Sequence, residues 1–242
     1  MKKIIKYLFL LTGGSFILAS CNDFLDREPL DSVTPDNFFF TENDLAAYAV
    51  KHYNFTTHEG FNAGIWKNDN ATDNQAATDY DKKWIPGQWK VPEAYDNPAS
   101  NDPWYFSTIR EANYFLETVV PRFEKGEIEG SETNIKHYIG EMYFLRAKNY
   151  LSKLETFGDF PIIKNTLPDE SESLIQASKR APRYKVAHFI LEDLDQAISL
   201  LTNNISGGKN RITKNAALLL KSRAALFEAS WLTYHKGTAL VP

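Results

Sequence analysis

Four of the chain's five tryptophans, Trp66, Trp84, Trp89 and Trp104, fall between residues 60 and 105. They stand among Asn68, Asn70, Asp73, Asn74, Asp79 and Gln88, largely within the stretch GIWKNDNATDNQAATDYDKKWIPGQW. A flat aromatic ring is a stacking surface for the apolar C–H face of a sugar, and amide or carboxylate side chains satisfy its hydroxyls. This pairing marks Trp66, Asn74, Trp84, Gln88 and Trp89 as candidate carbohydrate-binding residues. The same tryptophans also suit pinning a long loop onto neighbouring helices. Trp104 lies inside a helical block and is expected in the core.

Other chemistry finds less support. Asp73 with Asp79 or Asp81 can be drawn as the acid/base pair of a glycosidase, but loop spacing does not set a carboxylate separation. Acids in a polar loop are usually solvated, so no catalytic residue is assigned and the chain is not read as an enzyme. His52, His58, His137, His188 and His235 are scattered without a His-Glu-x-x-His pair, so no zinc site is expected. Asp69–Asp73 has the look of a calcium loop, yet Ala71 occupies a ligand position and Asn74 replaces the turn glycine. Gly207-Gly208-Lys209-Asn210 lacks the spacing and hydroxyl of a phosphate loop and reads as a turn. No metal or cofactor is expected. The formal charge of −4 without a basic block argues against binding nucleic acid.

The one cysteine, Cys21, ends the sequence Leu18-Ala19-Ser20-Cys21. Before it come Lys2, Lys3 and Lys6 and then apolar residues at Ile4, Ile5, Tyr7–Leu11 and Phe16–Ala19, the parts of an export signal. Gly13-Gly14-Ser15 interrupts the apolar stretch, which weighs against a spanning helix of roughly 20 continuous apolar residues. The four residues resemble a bacterial lipobox, in which the cysteine becomes the acylated first residue. Residues 1–20 are then a lipoprotein signal peptide, and Cys21 is the lipid attachment site. A plain secretory signal cut near Ser20 is the alternative.

Hydrophobic residues make up 43% of the 242 and charged residues 24%, the balance of a globular chain. Thr34-Pro35 reads as a helix start, and Thr41 with Asp44 opens a second helix over Glu42–Tyr53, with Leu45, Tyr48, Ala49 and His52 on one face. From Phe55 to Pro103 the helical period is lost, and a long irregular loop is expected. Helical spacing returns at Ser107, with Ile109, Ala112, Leu116 and Val119 on one face, and Pro121 is expected to stop it. The strongest segment, Asn134–Phe157, ends at Gly158. Residues 164–183 are read as irregular, Tyr184–Leu201 as helix, and Lys214–His235 as a last helix capped by Thr213. No alternating strand pattern appears, so the class is all-α.

Two of these helices echo one another. Gly140-x-x-Tyr143-x-Leu145-Arg146-Ala147-x-x-Tyr150 returns 77 positions later as Ala217-x-x-Leu220-x-Ser222-Arg223-Ala224-x-x-Phe227. Small residues and Arg-Ala pairs at these offsets suit closely packed antiparallel helices, as in tetratricopeptide-like helix-turn-helix repeats; a chance likeness of two amphipathic helices is the alternative. Arg146 and Arg223 are both expected to be partly buried and paired.

The blocks CNDFLDREP with FFFTENDLAAYAVKHY, then WYFSTIREANYFLE, GEMYFLRAKNYLSKLETFGDFPII, RYKVAHFILEDLDQAISLL and NRITKNAALLLKSRAALFEA span nearly all of residues 21–236. In this order, behind a lipobox, they resemble the RagB/SusD outer-membrane lipoproteins of Bacteroidetes-type bacteria. The resemblance implies an all-α tetratricopeptide-like fold over residues 21–242, corresponding to the family's N-terminal half, with the C-terminal half missing. It implies a lipid-anchored protein on the cell surface at the outer membrane. There it would capture oligosaccharide or another nutrient ligand and deliver it to a SusC-like, TonB-dependent outer-membrane transporter. A non-catalytic scaffold docking on an outer-membrane barrel, or capture of peptide rather than glycan, are the alternatives.

Overall fold

The computed structural model describes residues 38–53, 55, 85–88, 104–205 and 210–241. Apart from Phe38, these lie in one compact unit, Phe39–Pro242. The helix predicted at Thr34-Pro35, the Gly207-Gly208 turn and most of the Phe55–Pro103 loop lie outside the described residues. The described residues form six α-helices, and among them no strand is longer than an isolated bridge. They are α1 (Glu42–Lys51), α2 (Ser107–Glu124), α3 (Glu132–Phe157), α4 (Ser171–Ala177), α5 (Arg183–Leu200) and α6 (Lys214–His235).

Local chemistry sets most boundaries. Thr41 and Asp44 form the expected capping box: the Asp44 N–H donates to the Thr41 hydroxyl, and the Thr41 N–H donates to the Asp44 carboxylate. The Thr213 hydroxyl accepts from the Ala216 N–H at the start of α6. Gly158, at φ +74°, turns the chain out of α3 in a conformation an L side chain resists. Pro121 does not stop α2, which runs on to Glu124. The ring removes one N–H near the helix end, while the Pro121 carbonyl still accepts from Lys125 N–H at 3.2 Å, so the last turn survives. The segment read as irregular contains the short helix α4, which has no buried residue and therefore no apolar stripe to announce it.

α3 is the axis of the molecule. Residues His137–Met142 are all buried, which an amphipathic surface helix would not allow. α1, α2 and α5 pack around it, with α6 against α5 and touching α3. The register follows from named pairs. Gly140 of α3 meets Leu200 and Leu201 at the end of α5, Arg146 meets Asp193, and the Leu154 carbonyl meets Arg183 at the start of α5. The two helices are therefore antiparallel. α5 and α6 are antiparallel too, through Arg183–Glu228 and Lys221–Asp195. This is a tetratricopeptide-like stack of helix pairs. A Cβ at position 140 would stand 3.0 Å from the Leu201 side chain and 3.3 Å from the Ala197 carbonyl oxygen, so the small residue of the echo motif marks a close helix approach.

The echo breaks at its arginines. Arg146 is buried with its pair, as expected, but the Arg223 side chain is 71% exposed, its guanidinium 3.5 Å from Glu155. Ala147 and Ala224 are both buried. The difference comes from the surroundings: α3 is enclosed by neighbours, whereas the outer side of α6 meets no described element and leaves Leu219 and Leu226 exposed.

Candidate functional site

Of the residues singled out in the sequence, Cys21, Trp66, Asn74, Trp84 and Trp89 lie outside the described residues. Gln88 is exposed, in a turn where its N–H donates to the Ile85 carbonyl at 2.9 Å. Trp104 is half-buried in an aromatic cluster, 4.1 Å from Phe157 and 5.7 Å from Phe160 between ring centroids. Phe106 stacks on Phe160 at 5.1 Å. The core expectation for Trp104 holds in part, because the indole also faces an open cavity.

That cavity, of about 350 Å³, sits between the start of α2, the segment after Gly158, and α4. Trp104, Phe106 and Ile109 form one wall, and Pro161, Ile163 and Leu167 another. Leu174 and Ser178 close the α4 side, and Arg110, Asn113 and Asn165 supply the remaining polar groups.

The second wall is irregular backbone, and four helix side chains hold it. Asn113 Nδ2 donates to the carbonyls of Ile163, at 2.9 Å, and Asn165, at 3.4 Å. Tyr150 accepts the Ile163 N–H at 2.8 Å and donates to the Ile163 carbonyl at 3.2 Å. Burial pushes the Tyr150 phenol up to about 12, so it keeps the proton it donates. Arg146 Nη1 donates to the Lys164 carbonyl and to Asn113 Oδ1, while Glu117 accepts from the Thr166 N–H and hydroxyl. Each residue from Ile163 to Thr166 thus has at least one backbone group held by a helix side chain.

Arg146 is itself held by Asp193, whose two oxygens each lie 2.7 Å from a guanidinium nitrogen. Burial pushes the Asp193 carboxyl above its ordinary range, with the guanidinium pulling against it. A second buried carboxylate, Glu141, accepts from Arg211 Nε at 2.9 Å and from Arg211 Nη2, and from the Tyr53 hydroxyl at 2.7 Å. The Tyr53 oxygen also accepts the Ile212 N–H, tying the entrance of α6 to α1 and α3. These groups are spent on one another and position elements. Among the described residues, no three His, Cys, Asp or Glu side chains gather as a metal site requires.

Sequence reasoning found Arg146 but missed Asn113, Tyr150 and Glu117 as holders of the wall. The available signal was polarity in an apolar stripe: Asn113 is fully buried between Ala112 and the Phe115–Leu116 pair.

A family model described as "Starch-binding associating with outer membrane" matches residues 23–226. SusD-like protein P38 of Formosa agariphila is 27% identical over 82% of this chain and 37% of its own. SusD-like protein P25 of the same organism is 23% identical over 96% of this chain and 44% of its own. The chain thus spans about two fifths of the length of these relatives. A SusD-like protein of Bacteroides fragilis superposes with a TM-score of 0.57 at 26% identity, covering 85% of this chain and 38% of that one. A SusD-like carbohydrate binding protein of the same species shares the fold, with a TM-score of 0.58 at 18% identity over 80% of this chain and 39% of that one. With its helices in the family's fold and its sequence matched from residue 23 to 226, the chain belongs to the SusD-like family.

Proposed function

We propose that the chain is the helical part of a cell-surface lipoprotein that captures oligosaccharide and delivers it to a SusC-like, TonB-dependent outer-membrane transporter. The family match over residues 23–226 carries this reading. The tryptophans and amides of residues 66–89 supply its ligand surface, with Trp66, Asn74, Trp84, Gln88 and Trp89 in contact with sugar. Residues 1–20 are the signal peptide, 21–242 the helical domain, and lipid on Cys21 is the tether. Among the described residues no helix is long and apolar enough to cross a membrane.

A glycan array probed with the soluble chain beginning after Cys21 tests capture. Saturable binding to at least one oligosaccharide is expected. Failure to bind any glycan, with the protein folded, favours instead a scaffold that docks on the barrel, and peptide binding in a parallel array would reassign the cargo.

A further inference from the structure

We propose that the cavity beside Trp104 is a second ligand site, which takes a small organic carboxylate with a compact apolar body. Its volume, about 350 Å³, lies at the lower end of small-molecule pockets. Among the described residues its lining is mostly apolar, and the one charged side chain there is Arg110. Arg110 is exposed and makes no ion pair among the described residues. Arg180 stands 4.9 Å from the Trp104 ring centroid, also without a carboxylate partner among those residues. A largely apolar cavity with the Arg110 guanidinium in its lining and, among the described residues, no acid there favours an anion.

A sugar fits this cavity poorly. Each hydroxyl taken out of water needs a partner, and the buried Asn113 amide is already committed to Ile163, Asn165 and Arg146. A carboxylate at the rim, paired with guanidinium, leaves only apolar surface to bury inside. The α4 side is suited to admit it. α4 buries no residue, and the segment carrying it is fastened at its two ends, by Thr166 to Glu117 and by Ala181 to Phe160 through paired backbone hydrogen bonds of 3.0 and 3.2 Å. The site uses none of the loop tryptophans proposed to hold glycan, so its test is independent of that proposal.

Titration calorimetry of the full chain with 3-phenylpropanoate and with its uncharged amide tests the site. Saturable one-site binding of the carboxylate is expected, at least about fivefold tighter than the amide. Arg110→Gln, at an exposed position that leaves the fold intact, should erase that preference without weakening the amide. Leu174→Glu should weaken both ligands. No saturable binding of the carboxylate, equal affinity for carboxylate and amide, or an Arg110→Gln variant that keeps the preference would each overturn the proposal.

Discussion

Arg146 of α3 grips Asp193 of α5 through both carboxylate oxygens, Nε to Oδ2 and Nη2 to Oδ1, each at 2.7 Å and out of water. One guanidinium thereby joins two helices and, through Nη1, the irregular wall of the cavity.

Such a pair is expensive to break and cheap to replace. Arg146→Met should cost about 3–5 kcal/mol, because it strands the Asp193 charge and Asn113 Oδ1 in the interior. Arg146→Met with Asp193→Leu should cost clearly less than Arg146→Met alone. Urea unfolding of the two variants measures this; a double variant less stable than the single would contradict it.

His52 makes stability depend on pH. Its ring is buried, with Nδ1 3.3 Å from Glu111 and Nε2 without a partner. Burial lowers its pKa, while the Glu111 carboxylate pulls it up. The unfolded chain takes up the proton near pH 6.5 and the folded one only at lower pH, so the contribution is complete above about 6.5 and is lost as pH falls through the folded value. The urea midpoint of the wild type should therefore fall between pH 7 and 5 more steeply than that of His52→Gln. Parallel profiles would remove His52 from the account.

The two sides of the helix stack should respond differently to truncation. Leu154→Ala, at a fully buried position on α3, should cost about 2–5 kcal/mol. Leu219→Ser and Leu226→Ser on α6, at residues 74% and 69% exposed, should each stay within about 0.5 kcal/mol of wild type. Thermal or urea unfolding separates the cases, and a costly Leu226→Ser would mean that α6 is covered.

The features legible in the sequence were those that act locally. The Thr41–Asp44 box, the Thr213 cap and Gly158 each set a helix end through residues within one turn. The class followed from helical spacing alone. Pro121 misled because the cost of a proline depends on how much helix remains beyond it. Arg146 and Arg223 occupy one pattern and differ only in what packs against them, which no local signal carries. The cavity was invisible because its walls come from residues 104–110, 161–167 and 174–178, brought together by Asn113 and Tyr150 reaching Ile163 across 50 and 13 positions. The Trp66, Trp84 and Trp89 assignment rests on side-chain chemistry and stands as a proposal.

Cys21→Ala should leave the precursor unacylated and release the protein from the outer membrane into the soluble fraction. Fractionation with immunoblotting checks this, and membrane retention of the variant at wild-type levels would remove the tether.

The central claim, glycan capture by the tryptophan-rich stretch, is tested most directly by native affinity electrophoresis in gels cast with a polysaccharide chosen from the array. The wild-type chain should be retarded, and the variant carrying Trp66→Ala, Trp84→Ala and Trp89→Ala should run as it does without glycan. Equal retardation of the two proteins would contradict the assignment of the loop, and wild-type mobility unchanged by every glycan tested would contradict capture itself.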